Sequence, residues 1–267
     1  MKTLVFTKRN LLELIRNPLL YIFSFLFPIV MLILFVIIKN NINTYMPLFE
    51  LNSLIPGIIM FSFSFITLMV ALLISKDKSQ AFLKRLFTSP LKAKSFIIGY
   101  FIPYLIIGII QEIICILTGY IIAAITKEAY MSVLSSICLS LEMLPLLAIN
   151  ILLGIIIGIT LSDKSAPSIT SIFISISGVL GGAWMPLDSM KKLESISGYF
   201  PFYASVYLGR IITKAYHTPI NQEDYLNPII YSFNPSAIKY IIVIGIYLLV
   251  LIISSIFIFK KMMKSDN

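Results

Sequence analysis

The sequence predicts an all-α integral membrane protein with six transmembrane helices and both ends of the chain on the cytoplasmic side. Three observations carry that prediction. The 267 residues are 58% hydrophobic and only 12% charged, with a mean hydropathy of +0.96, more apolar surface than a water-soluble domain of this size can use. Runs with few or no charges, long enough to cross a hydrocarbon core about 30 Å thick, recur along the whole chain. The net charge of +9 is gathered in short basic clusters between those runs. That is how membrane orientation is encoded, and it argues against nucleic acid as a partner.

The runs fall at 19–38, 54–75, 96–125, 133–161, 166–187 and 238–259. Lys2, Lys8, Arg9 and Arg16, the cluster from Lys76 to Lys94, Lys164, and Lys260, Lys261 and Lys264 all fall on one side. By the positive-inside rule that side is cytoplasmic. The first run is too long for a signal-peptide core and lacks a small-residue cleavage site, so it reads as a retained span. Ahead of it, "MKTLVFTKRNLLELIRNP" puts Leu4, Leu11, Leu12 and Ile15 on one helical face and Lys2, Arg9, Glu13 and Arg16 on the opposite one. Such a helix, residues 1–17, lies flat in the interface with its cations near anionic headgroups. Asn17-Pro18 ends it, because a residue before proline resists helical geometry.

The cytoplasmic loop 76–95 contains Phe82, Leu83, Leu86 and Phe87 as an apolar stripe at helical spacing, with Lys84 and Arg85 facing away and Ser89-Pro90 as the stop. An amphipathic helix here either lies on the membrane or docks into a groove on a soluble partner; the alternative is a solvated positive-inside loop. The third and fourth runs exceed a perpendicular crossing, and tilt or an interfacial turn before Pro103 and Pro145 absorbs the excess. Gln111 and Glu112 lie within the third run, and Glu142 toward the outer end of the fourth. A carboxylate at that depth is costly, so it marks either proton carriage or a packing hydrogen bond. The absence of a basic or histidine relay within the spans weighs toward packing. Gly154 and Gly158, and Gly178 and Gly182, are small-xxx-small pairs that permit close helix approach. Cys115 and Cys138 sit in apolar runs and read as packed small hydrophobes, and a lone histidine, His217, argues against a histidine-ligated metal.

The fifth run ends in "GVLGGAWMPLDSM" (178–190). If its glycines break the helix, the regular part, 166–177, has 12 residues and rises about 18 Å, short of the far surface. Either Gly178, Gly181, Gly182, Trp184 and Pro186 belong to a re-entrant turn buried by other protein, or the run is an ordinary span with a loop beyond it. In the following outer loop, 188–237, Tyr199, Phe200, Phe202, Tyr203 and Tyr207 suit an outer interface.

Four stretches, in order, resemble the permease subunits of type-2 ATP-binding-cassette (ABC) exporters. These are "KRNLLELIRNPLLYIFSFLFPIVMLILF" (8–35), "KRLFTSPLKAKSFIIGY" (84–100), "GIIIGITLSDKSAPSITSIFISISGVLGGAWMPLDSM" (154–190) and "YFPFYASVYLGRII" (199–212), the last closing on Arg210. The resemblance implies one permease domain over 1–267, paired with a second copy or homologue in the plasma membrane. It also implies an ABC ATPase subunit against the N-terminal helix and the 76–95 loop, and outer re-entrant helices after the fifth span. No G-x-x-x-x-G-K-[ST] occurs, so no cofactor is expected in this chain, and ATP and Mg belong on the ATPase. The mostly Ile and Leu spans point to a hydrophobic or amphiphilic cargo (drug, peptide or lipid) moved outward. The alternatives are glycan export within the same family, proton-coupled transport through Glu112, and, with the least support, a membrane-embedded enzyme.

Overall fold

The computed structural model describes residues 2–42, 46–83, 93–219 and 228–265. Among them the chain is helical, with one isolated antiparallel bridge between Tyr216 and Ile230. α1 covers Lys2–Ile15. After a single turn at Pro18–Tyr21, α2 runs over Ile22–Asn41. It opens as a π-helical turn, Ile22–Leu26. Pro28 has no amide to offer Ser24 and its ring presses on that carbonyl, and a widened turn accommodates both defects. α3 is Leu51–Ser79, α4 Ala93–Thr126 and α5 Val133–Thr160. α6 is Ser165–Leu180, α7 Lys191–Ser197, α8 Pro201–Ile212 and α9 Pro235–Ser265.

Five helices among the described residues, α2 to α5 and α9, are long and apolar enough to cross a membrane. The fifth of the six expected runs is shorter: α6 has 16 residues, a rise of about 24 Å. Gly181 is its C-cap, and Gly182 follows at φ +64°. A left-handed residue cannot continue a right-handed helix, so the break falls in the glycine stretch.

α3 is the hub, buried around nearly its whole circumference from Leu51 to Asp77. α5 crosses it with almost no side-chain spacer. A Cβ added at Gly154 would come within 2.7 Å of the Thr67 carbonyl oxygen, and one at Gly158 within 2.9 Å of that of Ala71. The close approach lets Thr67 Oγ1 donate to the Asn150 backbone and side-chain oxygens, both at 3.0 Å. Ser64 and Ser177 hydroxyls join α3 to α6 at 2.7 Å, and Tyr104 Oη donates to the Met69 carbonyl at 2.8 Å. Among apolar helices without a hydrophobic driving force, each such bond is worth about 0.6 to 1.7 kcal/mol. α2 and α9 instead leave rows of apolar side chains exposed, Ile241, Ile242, Leu249, Ile253 and Phe257 on α9 among them.

Cross-links order the two ends of the bundle. Lys78 Nζ donates to the Ile159 carbonyl at 2.7 Å, and Phe96 stacks on Phe259. α1, the end of α3, the start of α4 and the ends of α5 and α9 therefore lie together. At the far end, Lys39 pairs with Glu128 at 2.7 Å, and α8 closes on the start of α3.

α1 departs from the expected amphipathic helix. Leu4, Leu12 and Ile15 are exposed, while Phe6, Asn10 and Leu14, a different i, i+4, i+8 row, are buried against the bundle. Phe6 packs edge-on to Phe96 and Tyr100, and Asn10 Nδ2 donates to the Gly99 carbonyl at 3.0 Å. The helix has two apolar sides, one for the protein and one for its surroundings.

Replacing Gly158 by leucine should force α3 and α5 apart and cost at least about 1–3 kcal/mol. Thermal unfolding of the purified protein in detergent would show this as a lowered midpoint, while leucine at exposed Ile253 should leave it unchanged.

Candidate functional site

Three groups of side chains do more than fill space. The first is the far-end turn. After Gly182 the chain doubles back, so Trp184 lies on its own helix: a Cβ at Gly178 would meet the indole at 2.7 Å and Phe61 at 2.8 Å. Trp184 packs edge-on to Phe61, centroids 4.4 Å apart, and stacks with Phe35. Ala183 backbone presses on Gly57 of α3, and Gly181 faces Met60 with no room for a side chain. Leu187 is buried and Pro186 half-buried beside it.

Arg210 locks this turn. Its side chain is 2% exposed, yet no carboxylate lies within salt-bridge distance among the described residues. Nη2 donates to the Gly182 carbonyl at 2.8 Å and Nε to the Ser53 carbonyl at 3.3 Å, with the Tyr231 ring 5.9 Å away. Thr213 Oγ1 adds a bond to the Asn52 carbonyl at 2.6 Å. One cation thus joins α8, the α6 turn and the start of α3. Above it, Asp188 Oδ2 accepts from the Thr218 amide at 2.7 Å and from Tyr231 Oη at 3.1 Å, with His217 Nδ1 at 3.5 Å. Burial opposes the Asp188 charge, but the His217 and Thr218 bonds and the Arg210 charge prevail and lower its pKa to about 2.

The aromatic stretch expected at an outer interface lies elsewhere. Phe202, Tyr203 and Tyr207 are buried, Phe200 is half-buried, and only Tyr199 is exposed. Tyr203 and Tyr207 pack on Tyr240, and Tyr203 Oη donates to Glu194 at 2.9 Å. The Tyr203 hydroxyl finds its partner inside the protein, so its ring is free to form core.

The second group is at the α1 end. Asp77, fully buried, accepts a forked pair from Arg9 at 2.7 and 2.8 Å and a third bond from Tyr100 Oη at 2.7 Å. Arg9 also pairs with Glu13, and Lys76 with Glu13 at 3.3 Å. Arg9 therefore serves the protein and not the headgroups expected for it. Burial works against its charge, but Asp77 and Glu13 outweigh that and raise its pKa. The same guanidinium lies 4.3 Å over the Phe82 ring, and Leu83 is 1% exposed. These two members of the expected docking stripe are anchors that fix where the loop leaves the bundle. Lys84, Arg85, Leu86 and Phe87 lie outside the described residues.

The third group is mid-bundle. Gln111 and Glu112 are buried on α4. Glu112 lies beside Ser140 and Glu142 beside Ser205, which forms a polar seam across α4, α5 and α8. Glu112 Oε1, both Glu142 oxygens, both Gln111 side-chain atoms and Ser205 Oγ make no well-aligned hydrogen bond, and no cation pairs with either acid among the described residues. Ser140 and Ser205 are the polar neighbours that a packing role for these acids would use.

With this architecture in view, the decisive comparison is a family model, the ABC-2 type transporter, that matches residues 1–213. The chain belongs to the ABC-2 type transporter family. No curated protein and no solved structure matches it. The matched range of this ABC-2 chain runs from α1 to the end of α8 and contains all four stretches that carry the resemblance in the sequence. It is a multi-pass membrane component of an ABC transporter, and not itself the ATPase.

Sequence reading missed two features of the ABC-2 chain. Asp77, inside the basic string "SKDKS", looks like loop charge, and its one signal is being an acid at the foot of an apolar run. The Asp188–His217–Tyr231 contact joins residues up to 43 apart in sequence and has no local pattern.

Because the Asp188 pKa is depressed, its stabilisation should be complete above about pH 4, its ordinary range, and vanish as pH falls through about 2. Asp188→Asn should therefore lower the unfolding free energy near neutral pH by an amount on the order of 2 kcal/mol, and the midpoint with it. The gap to the parent protein should narrow as pH approaches 2, and thermal scans across pH would measure it.

Proposed function

We propose that this ABC-2 chain is the permease subunit of an ATP-driven exporter of the plasma membrane. Two permease copies, or this chain and a homologue, pair around the transport route. A separate ABC ATPase binds ATP and Mg and hydrolyses it. Family membership across 1–213 carries the reading, and the two ends of the bundle give it a mechanism.

The α1 end faces the cytoplasm and the ATPase. Loop residues Lys84, Arg85, Leu86 and Phe87 make the contact, and the Phe82–Arg9–Asp77 chain passes their displacement to α3 and α1 together. A buried fork of charge-assisted bonds is stiff enough to move as a unit. α3 then carries the movement to Ser53 and Gly57, which hold the α6 turn through Arg210 and Ala183. In the resting state the turn around Gly178, Gly181, Gly182, Trp184 and Pro186 is the outer closure. It is a two-state element that the ATPase biases. The spans are mostly Ile and Leu, which suits a hydrophobic or amphiphilic cargo. One observation favours a second reading: the buried Glu112 and Glu142 carboxyls, with no cation paired to either among the described residues, suit a proton-coupled transporter.

In proteoliposomes with the cognate ATPase, charge reversal at Lys84 and Arg85 should cut ATPase co-purification by about tenfold or more. Gly181→Leu with Gly182→Leu should abolish transport while co-purification persists. Unchanged association in the first variant removes the loop as the docking site. Export that survives ATPase inactivation and collapses in Glu112→Gln would replace the ABC reading by the proton-coupled one.

A further inference from the structure

A cavity of about 720 Å³ opens at the α1 end, walled by α1, the start of α2, α3 and Tyr104 of α4. Its lining divides by chemistry. Leu68, Leu72 and Lys76 of α3 stand at i, i+4 and i+8, so one helical stripe passes from apolar to cationic over a rise of about 12 Å. Phe23 and Leu12 complete the apolar wall, and Arg16 stands at the rim. Of the charges on the lining, Arg9 is engaged with both Glu13 and Asp77. Lys76 reaches Glu13 only at 3.3 Å with its side chain 56% exposed. Arg16 has no side-chain partner among the described residues. Arg9, Arg16 and Lys76 against Glu13 leave the lining at +2, and Asp77 behind Arg9 reduces this to +1.

A cavity with an apolar trough at one end and spare cations at the other fits an amphiphile with an anionic head. A soluble anion would leave the trough empty, and an uncharged chain would leave Arg16 and Lys76 unused. α1 lies along the membrane surface in the orientation read from the sequence, which brings the cations to headgroup depth and the Leu68–Leu72 wall to acyl depth. We infer that this cavity is a binding site for an anionic phospholipid of the cytoplasmic leaflet, its phosphate between Arg16 and Lys76 and one acyl chain along Leu72 and Leu68. The lipid bridges α1 to α3 beside the Arg9–Asp77 joint. The inference rests on the cavity and its charges and does not depend on the export reading.

Native mass spectrometry of the full chain in detergent tests it. The probes are dioleoyl phosphatidylglycerol, dioleoyl phosphatidylcholine and glycerol 3-phosphate, which lacks chains. Phosphatidylglycerol should bind about tenfold or more tighter than phosphatidylcholine, with glycerol 3-phosphate weaker than either. Arg16→Gln with Lys76→Gln should remove the preference while phosphatidylcholine binding stays, and each single variant should fall between. Leu68→Trp, which fills the trough, should weaken both lipids alike. Equal binding of the two lipids, a preference that survives the double variant, or glycerol 3-phosphate binding as tightly as phosphatidylglycerol would overturn the site. With the cognate ATPase added, ATP-driven transfer of labelled phosphatidylglycerol marks the bound lipid as cargo and retention marks it as resident; both outcomes require the site.

Discussion

A guanidinium cannot be buried without acceptors, and Arg210 meets that requirement with backbone carbonyls. Gly182 can offer its carbonyl only because α6 stops there, and the Ser53 carbonyl accepts beside Pro56, whose missing N–H leaves the neighbouring Asn52 carbonyl open to Thr213. A helix that ran on through Gly182 would close that carbonyl into its own ladder and strand the cation. The broken fifth apolar run, the buried α8 and the stretch joined to the turn are therefore one arrangement. Asp188 holds the next layer, tying the turn to Thr218, His217 and Tyr231.

The opposite end answers the same physics with a different solution. Asp77 is a buried acid at the foot of α3, and it is tolerable because Arg9 and Tyr100 supply three short bonds. Removing Arg9 would leave that charge alone, a penalty greater than the worth of the pair itself. α1 is thereby tied to α3 and, through Phe6 and Asn10, to α4. A rigid shaft with a stiff joint at each end connects the loop that follows Ser79 to the turn that follows Leu180. In the function proposed above, that shaft is the element that links the two ends.

How much of this was legible in the sequence depended on whether the physics is local. Hydropathy and length locate α2 to α5 and α9, because crossing a bilayer is a property of one segment. The stop at Gly181-Gly182 is legible because only glycine takes φ +64° at little cost. Gly154 and Gly158 announce a close helix approach, although not which helix fills it. Periodicity picks out Leu4, Leu12 and Ile15, which are exposed on α1, but the second row of Phe6, Asn10 and Leu14 is recognised only through its contact with α4. Tyr203 and Tyr207 were assigned to an interface by their amphipathic rings, and Glu194 and Tyr240 claimed them for the core. Arg210 could be picked out, but its acceptors could not, because main-chain carbonyls leave no mark on a sequence.

The central claim is that the turn after α6 is a closure whose opening is driven from the α1 end. Exposure of half-buried Met185, three residues beyond the break at Gly182, reports on it directly. In a background with Cys115 and Cys138 replaced by serine, Met185→Cys would be labelled by a membrane-impermeant maleimide in proteoliposomes containing the cognate ATPase. The account predicts slow labelling without nucleotide and labelling several-fold faster during ATP turnover. Equal rates in the two conditions would contradict it.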